Sequence, residues 1–129
     1  MPPKLRIARP VRDPALSSAM WCGAFALTEQ CSFKDHAGFD GVMLGHPGSP
    51  YHFEFTICRT HVVTPAPTDE DLTVFYYPDE KEWAETCQRA EEHGFVRVSS
   101  FNPYWDDKGR TYADRDGYRV VLQQAEWTL

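Results

Sequence analysis

The sequence predicts an α+β fold built from two tandem βαβββ modules, and two observations support this prediction. Both halves of the 129-residue chain read strand, helix, strand, strand, strand. Their landmarks also repeat at nearly one offset, with candidate helix caps at Asp13 and Asp79 and strands that begin at Tyr51 and Tyr118. Two copies indicate a duplicated module, since a solenoid needs three or more repeats. We therefore predict a single domain over residues 1–129, with modules at 1–64 and 65–129 related by pseudo-twofold symmetry.

The elements of the first module follow from hydrophobic periodicity and turn residues. A short extended segment at 5–11 precedes Asp13, a suitable N-cap, and Pro14, which suits the first helical position. The helix that follows carries a predicted apolar stripe of Leu16, Ala19, Met20 and Gly23. Turns at 34–38 and 46–50 separate three predicted strands, at 26–33, 39–44 and 51–57.

The second module begins after a proline-containing connector at 61–71, where proline disfavours both helix and strand pairing. A strand at 72–77 comes next. Asp79 opens a helix, and Gly94 fits the position just after its end. This helix carries Trp83, Cys87 and Ala90. The remaining predicted strands lie at 95–99, 111–114 and 118–124.

Composition argues against several classes of partner and location. Thirteen Lys and Arg against nineteen Asp and Glu give a net charge of -6, which repels nucleic acid and anionic lipid. The longest nearly apolar run is about eight residues, far below the roughly 20 of a membrane-spanning helix. The charged N-terminal stretch also lacks the apolar block of a secretory signal. We expect a cytoplasmic protein with neither a nucleic-acid nor a membrane partner.

The four cysteines are widely spread and include no C-x-x-C pair. This spacing is typical neither of zinc sites nor of redox motifs. We therefore expect Cys22, Cys31, Cys58 and Cys87 to be reduced packing residues.

Beyond the duplication itself, three stretches resemble the vicinal oxygen chelate superfamily, which includes glyoxalases, bleomycin-resistance proteins and extradiol dioxygenases. They are IARPVRD at 7–13, GFDGVMLG at 38–45, and SFNPYW at 100–105 followed by DGYRVVL at 116–122. The resemblance covers essentially the whole chain and implies that the modules form a curled, cup-shaped mixed sheet with the helices outside. Because this scaffold hosts unrelated reactions, the resemblance alone names no activity.

Metal-dependent members of the superfamily carry four ligand positions, on the first and last strands of each module. By resemblance these positions fall at Arg6, Glu54, Leu72 and Val121. Only Glu54 can ligate a metal, because Leu and Val offer no lone pair and Arg is always cationic. We therefore expect no cofactor, and an Arg6–Glu54 ion pair is the simplest interpretation.

A displaced metal centre is the opposing hypothesis. His52 and Glu54 lie two apart on one strand and so face the same side. With His46 or His61 they could hold a divalent ion such as Ni, Zn, Fe or Mn. The simpler interpretation of His52 is a strand histidine at the sheet surface.

The resemblance favours small-molecule binding in the cup. Arg6, His52 and Glu54 would supply polar contacts to a small organic molecule. Asn102, Tyr104 and Trp105 lie on a long segment and could stack on a ligand, although covering the sheet edge is the commoner fate of such aromatics.

We expect a metal-independent binding protein of the bleomycin-resistance type, assembled as a homodimer. Two alternatives stay open. One is a lyase, isomerase or dioxygenase of the same superfamily that uses Glu54 as a base or metal ligand. The other is a structural or interaction module whose cup is filled by side chains.

Overall fold

The computed structural model describes residues 2–128, and the chain separates into two compact units with the boundary between Pro65 and Ala66. Each unit contains one four-stranded mixed sheet and one main helix. The strand orders are β1-β4-β3-β2 and β5-β8-β7-β6, so both units have the same topology. The predicted α+β fold of two βαβββ modules is confirmed.

In the first unit, β1 pairs with β4 in parallel and the other pairs are antiparallel. Its elements are β1 (Leu5–Pro10), α1 (Pro14–Phe25), β2 (Thr28–His36), β3 (Phe39–Gly45) and β4 (Tyr51–Cys58).

Trp21 of α1 is the centre of the first-unit core, with no solvent exposure. Its ring centroid lies 5.3 Å from that of Phe53 and 5.6 Å from that of Phe55, both on β4. The guanidinium of Arg9 lies 5.9 Å from the Trp21 ring centroid, within range of a cation–π contact. Helix α1 therefore covers the sheet face that carries Phe53 and Phe55, which leaves the alternate β4 residues on the other face.

The start of α1 is as predicted, but its buried face is not. Asp13 Oδ1 accepts the backbone N–H of Leu16 at 3.0 Å, and Pro14 opens the helix. The predicted stripe is wrong, because Leu16 is 51% exposed. The helix instead buries Ser17, Ser18, Trp21, Ala24 and Phe25. The large rings at 21 and 25 set the orientation by packing on β4.

Strand β2 begins later than predicted, and the turn between β2 and β3 contains fewer residues than predicted. Ala26 adopts a left-handed conformation with φ 54 and caps α1, so β2 begins only at Thr28. β2 then continues to His36 through most of the predicted turn. Only Ala37 and Gly38 connect it to β3, both with positive φ.

The second unit repeats this topology and adds a short helix. Its elements are β5 (Leu72–Tyr76), α2 (Glu80–Glu92), β6 (Val96–Val98), α3 (Tyr104–Asp107), β7 (Gly109–Ala113) and β8 (Arg119–Gln123). The sequence pattern did not predict α3, because four residues are too few to show a helical period. β7 begins at Gly109, two residues before the predicted start.

The caps of α2 agree with the sequence. The Asp79 carboxylate accepts the backbone N–H of Glu82 at 2.8 Å, and Gly94 has φ 91 just after the helix. Cys87 and Ala90 are buried. Trp83 is half-buried and donates its indole N–H to the carbonyl of Leu122 at 2.8 Å.

All four cysteines are free, but the packing role holds only for the buried Cys87. Cys31 is exposed on β2, so the prediction is wrong there, while Cys22 and Cys58 are half-buried.

Within residues 2–128, no helix combines the length and apolar character needed to cross a bilayer.

Candidate functional site

Two neighbouring strands, β1 and β4, bring Arg6, His52 and Glu54 together. In their parallel register Arg6 lies beside His52, and Ala8 lies beside Glu54. Because strand side chains alternate, these residues share one face, opposite the face covered by α1. We call this surface the Arg6 face. Arg9 lies on the other face, as its contact with Trp21 shows.

The guanidinium of Arg6 is held by three neighbours on this face. Its Nε donates to His52 Nε2 at 2.9 Å. Its Nη1 lies 3.4 Å from Glu54 Oε2 and forms an ion pair with it, as expected. Its Nη2 contacts the sulfur of Met43 on β3 at 3.4 Å. The contact with Met43 was not predicted, because it depends on the register that places Met43 opposite Glu54.

Donors and acceptors remain available in this cluster. An arginine carries five N–H donors, and three of those on Arg6 are used by the contacts above. Glu54 Oε1 has no hydrogen-bond partner among residues 2–128. Side-chain exposure is 47% for Arg6 and 13% for Glu54, so a ligand can reach the guanidinium. The cluster can therefore both donate to and accept from a small molecule.

The hydrogen bond from Arg6 determines the tautomer of His52. A guanidinium can only donate, so Nε2 of His52 must be the acceptor. An imidazolium has no acceptor nitrogen, and therefore His52 is neutral in this arrangement with its proton on Nδ1. This proton is a further donor on the Arg6 face.

The residues present do not fit a metal centre of the superfamily type. The Arg6 cation occupies one of the four family positions and is paired with Glu54, the only carboxylate among them. Of the histidines considered for a displaced site, His46 has ring nitrogens 3.3 Å from Tyr51 Oη and 3.1 Å from the carbonyl of Phe25, and His61 is exposed on the connector. Residues 2–128 include no group of three His, Cys, Asp or Glu side chains placed to hold a metal.

The other two family positions lie in the second unit and are apolar. Leu72 is half-buried on β5, next to Arg119 of β8. Val121 is fully buried on β8 and pairs with Val74. Neither side chain can bind a metal or a polar group.

Asn102, Tyr104 and Trp105 form a local group at the start of α3. Asn102 Oδ1 accepts the backbone N–H of Tyr104 at 3.1 Å. The rings of Tyr104 and Trp105 meet edge to face with centroids 4.9 Å apart. Tyr104 is 63% exposed and Trp105 is half-buried. Tyr104 therefore presents more aromatic surface to solvent than Trp105 does.

A cavity of about 460 Å³ lies near the end of β4 and is lined in part by residues 61–65 of the connector. Its lining is mainly apolar and includes Pro10, Phe39, Thr56, Ile57, Cys58 and Val63. Pro10 pairs with Thr56, which follows Glu54 by two residues and so lies on the Arg6 face. No sequence pattern indicates this cavity, because its lining combines the ends of β1 and β4 with residues 61–65.

Cys58 lines this cavity, and its thiol has a lowered pKa. The Thr60 hydroxyl lies 3.5 Å from its sulfur. This contact and the backbone N–H groups of Thr60 and His61 lower the pKa of Cys58 below the usual thiol value. Burial has the opposite effect on Cys22 and Cys87, whose pKa values are raised.

Comparison with known proteins finds two family models that together match most of the chain. The YycE-like N-terminal domain matches residues 5–56, and the YycE-like C-terminal domain matches residues 70–124. Uncharacterized protein YycE of Bacillus subtilis is 35% identical over 95% of this chain and 88% of its own length.

Solved structures show the same architecture. A crystal structure of a YycE protein of unknown function from Bacillus subtilis has a TM-score of 0.88 at 35% identity, covering 95% of this chain and 90% of that one. Leishmania major glyoxalase I gives 0.73 at 15% identity, with 97% and 88% covered. The fosfomycin resistance protein FosX of Mesorhizobium loti gives 0.72 at 13%, with 96% and 90% covered. The latter two likenesses show the fold alone.

Proposed function

We propose that this chain, which belongs to the YycE-like family of the vicinal oxygen chelate superfamily, binds a small organic molecule on the Arg6 face without using a metal ion. The observation that carries this proposal is the guanidinium of Arg6, held by His52, Glu54 and Met43 and still partly exposed. A fixed arginine with unused donors is suited to orient a polar ligand group.

The metal-free part of the proposal rests on the chemistry of the four family positions. A cation beside Glu54 opposes the binding of a second cation there. The other two positions, Leu72 and Val121, provide no ligand atoms. A polar organic group, in contrast, meets donors on Arg6 and His52 and an acceptor on Glu54.

Tyr104, Trp105 and Asn102 remain proposed ligand contacts. The support is the 63% exposure of Tyr104 and its edge-to-face contact with Trp105, which offers an aromatic surface.

We also propose that the protein acts as a homodimer. Light scattering that gives a monomer at micromolar concentration would count against the dimer.

The second candidate is an enzyme of the same superfamily in which Glu54 acts as a general base. The favouring observation is Glu54 Oε1, which has no partner among residues 2–128, on a carboxylate 13% exposed. An enzyme of this kind would turn over a bound ligand, and Glu54→Gln would stop turnover while leaving binding largely intact.

The test of the proposed function is a ligand-observed NMR screen of small polar molecules against protein dialysed with a chelator. We expect binders whose signals disappear with Arg6→Met, which keeps a long unbranched side chain but removes every donor. Arg115→Met is the matched control, since Arg115 is an exposed arginine of the second unit and does not belong to the cluster. Stoichiometric divalent metal that is lost with Glu54→Ala would contradict the proposal.

A further inference from the structure

The cavity beside Thr56 begins close to the polar cluster and on the same face of the sheet. Glu54 and Thr56 are two residues apart on β4, which places them about 7 Å apart along the strand. Pro10, the register partner of Thr56, lies two residues beyond Ala8, the partner of Glu54. The cavity lining does not include Arg6, His52 or Glu54, so a molecule with its polar end at Glu54 must span about 7 Å along β4 to place its other end beside Thr56.

The charges of the cluster favour a neutral polar end. Arg6 and Glu54 carry opposite charges with a nitrogen and an oxygen 3.4 Å apart, so they largely cancel. An anionic ligand would be attracted by Arg6 but repelled by Glu54. A cationic ligand would be attracted by Glu54 but repelled by Arg6. A neutral amide matches both residues, because its carbonyl accepts from the guanidinium while its N–H donates to Glu54 Oε1.

The lining of the cavity determines which chemical group suits the other end of the ligand. Pro10, Phe39 and Val63 present mainly carbon atoms, and a volume of about 460 Å³ is enough for a phenyl ring with a short alkyl chain. Burying such a group there removes apolar surface from water.

We infer that the ligand class is a neutral amide with an apolar body, whose amide binds Arg6 and Glu54 and whose body fills the cavity beside Thr56. This inference rests on the proposed function and adds the chemical class of the ligand to it. The size and the apolar lining of the cavity determine how long and how apolar the body of that ligand is.

Binding of 4-phenylbutanamide, acetamide and 4-phenylbutanoate, measured by backbone-amide NMR titration, tests the inference. We expect 4-phenylbutanamide to bind on the order of tenfold more tightly than acetamide, because of the buried phenylpropyl group. The carboxylate should bind on the order of tenfold more weakly than the matching amide, because its charge faces Glu54. Thr56→Phe should abolish the preference for 4-phenylbutanamide over acetamide.

Val63→Trp fills the same cavity from the connector and serves if Thr56→Phe does not fold. Leu16→Trp is the matched control, since Leu16 is exposed on α1 and does not line the cavity. The control should keep the preference for 4-phenylbutanamide over acetamide.

Several results would overturn the inference while the proposed function stands. Equal affinity for the two amides would show that the cavity does not hold the apolar body, and tighter binding of the carboxylate would exclude the neutral end. The inference also fails if Arg6-dependent binders exist but none is an amide. A dimer that Thr56→Phe dissociates would show that a second copy of the chain fills the cavity. If no small molecule binds in an Arg6-dependent way, the proposed function itself fails.

Discussion

Arg6 Nε donates to His52 Nε2 at 2.9 Å, and this bond requires a neutral His52 with its proton on Nδ1. Long-range proton–nitrogen NMR distinguishes the two tautomers. We expect the Nδ1–H form in the native protein and a loss of this preference with Arg6→Met. A native His52 that carries its proton on Nε2 would contradict the geometry of the cluster.

The helix caps give a prediction about stability. Asp13→Ala and Asp79→Ala each remove a carboxylate that accepts a first-turn backbone N–H. We expect each change to lower the free energy of unfolding by about 1 kcal/mol, measured by urea denaturation. Glu85→Ala, an exposed carboxylate within α2, is the control and should change it by less than about 0.5 kcal/mol. Equal losses in all three variants would argue against a capping role.

These caps also show what the sequence could predict. Asp13 and Asp79 have the right residue type, precede helical segments and repeat at one offset, so local chemistry alone identified both. The alternating strand at Tyr51–Cys58 was recognisable for the same reason, since Phe53 and Phe55 share its buried face. Short-range patterns are sufficient for such features because the interactions that form them are short-range.

The remaining features depend on contacts between distant residues. Segment 14–25 is apolar on most sides, so its periodicity could not reveal that Trp21 is buried while Leu16 is exposed. The Arg6–Glu54 pair was predicted from the family positions, but the contact with Met43 required the strand register. The cavity beside Thr56 required the path of the connector.

Trp21 is the test of the first-unit core. Trp21→Ala should lower the free energy of unfolding by about 3–5 kcal/mol, because the ring is fully buried between Phe25, Phe53 and Phe55. Trp127→Ala is the matched control, since that ring is 62% exposed, and it should cost less than about 0.5 kcal/mol. Thermal or chemical denaturation separates the two outcomes, and a small loss for Trp21→Ala would mean that α1 packs differently.

The reactivity of Cys58 depends on pH in a predictable direction. The hydrogen bonds from Thr60 and His61 lower its pKa, so its thiolate should form at a lower pH than that of N-acetylcysteine amide. The rate of alkylation by iodoacetamide, followed by peptide mass spectrometry across pH, measures this shift. Thr60→Val should raise the pKa of Cys58, whereas Thr60→Ser should keep it low. A Cys58 that titrates above the free reference would contradict the hydrogen-bonding arrangement.

The central claim is that a ligand binds through Arg6 in the absence of metal. Its most direct test is calorimetric titration of chelator-treated protein with the best small molecule from the NMR screen, with Arg6→Met measured in parallel. We predict that binding persists without metal and is lost in the variant. Binding that requires an added divalent ion, or that survives Arg6→Met unchanged, would contradict the claim.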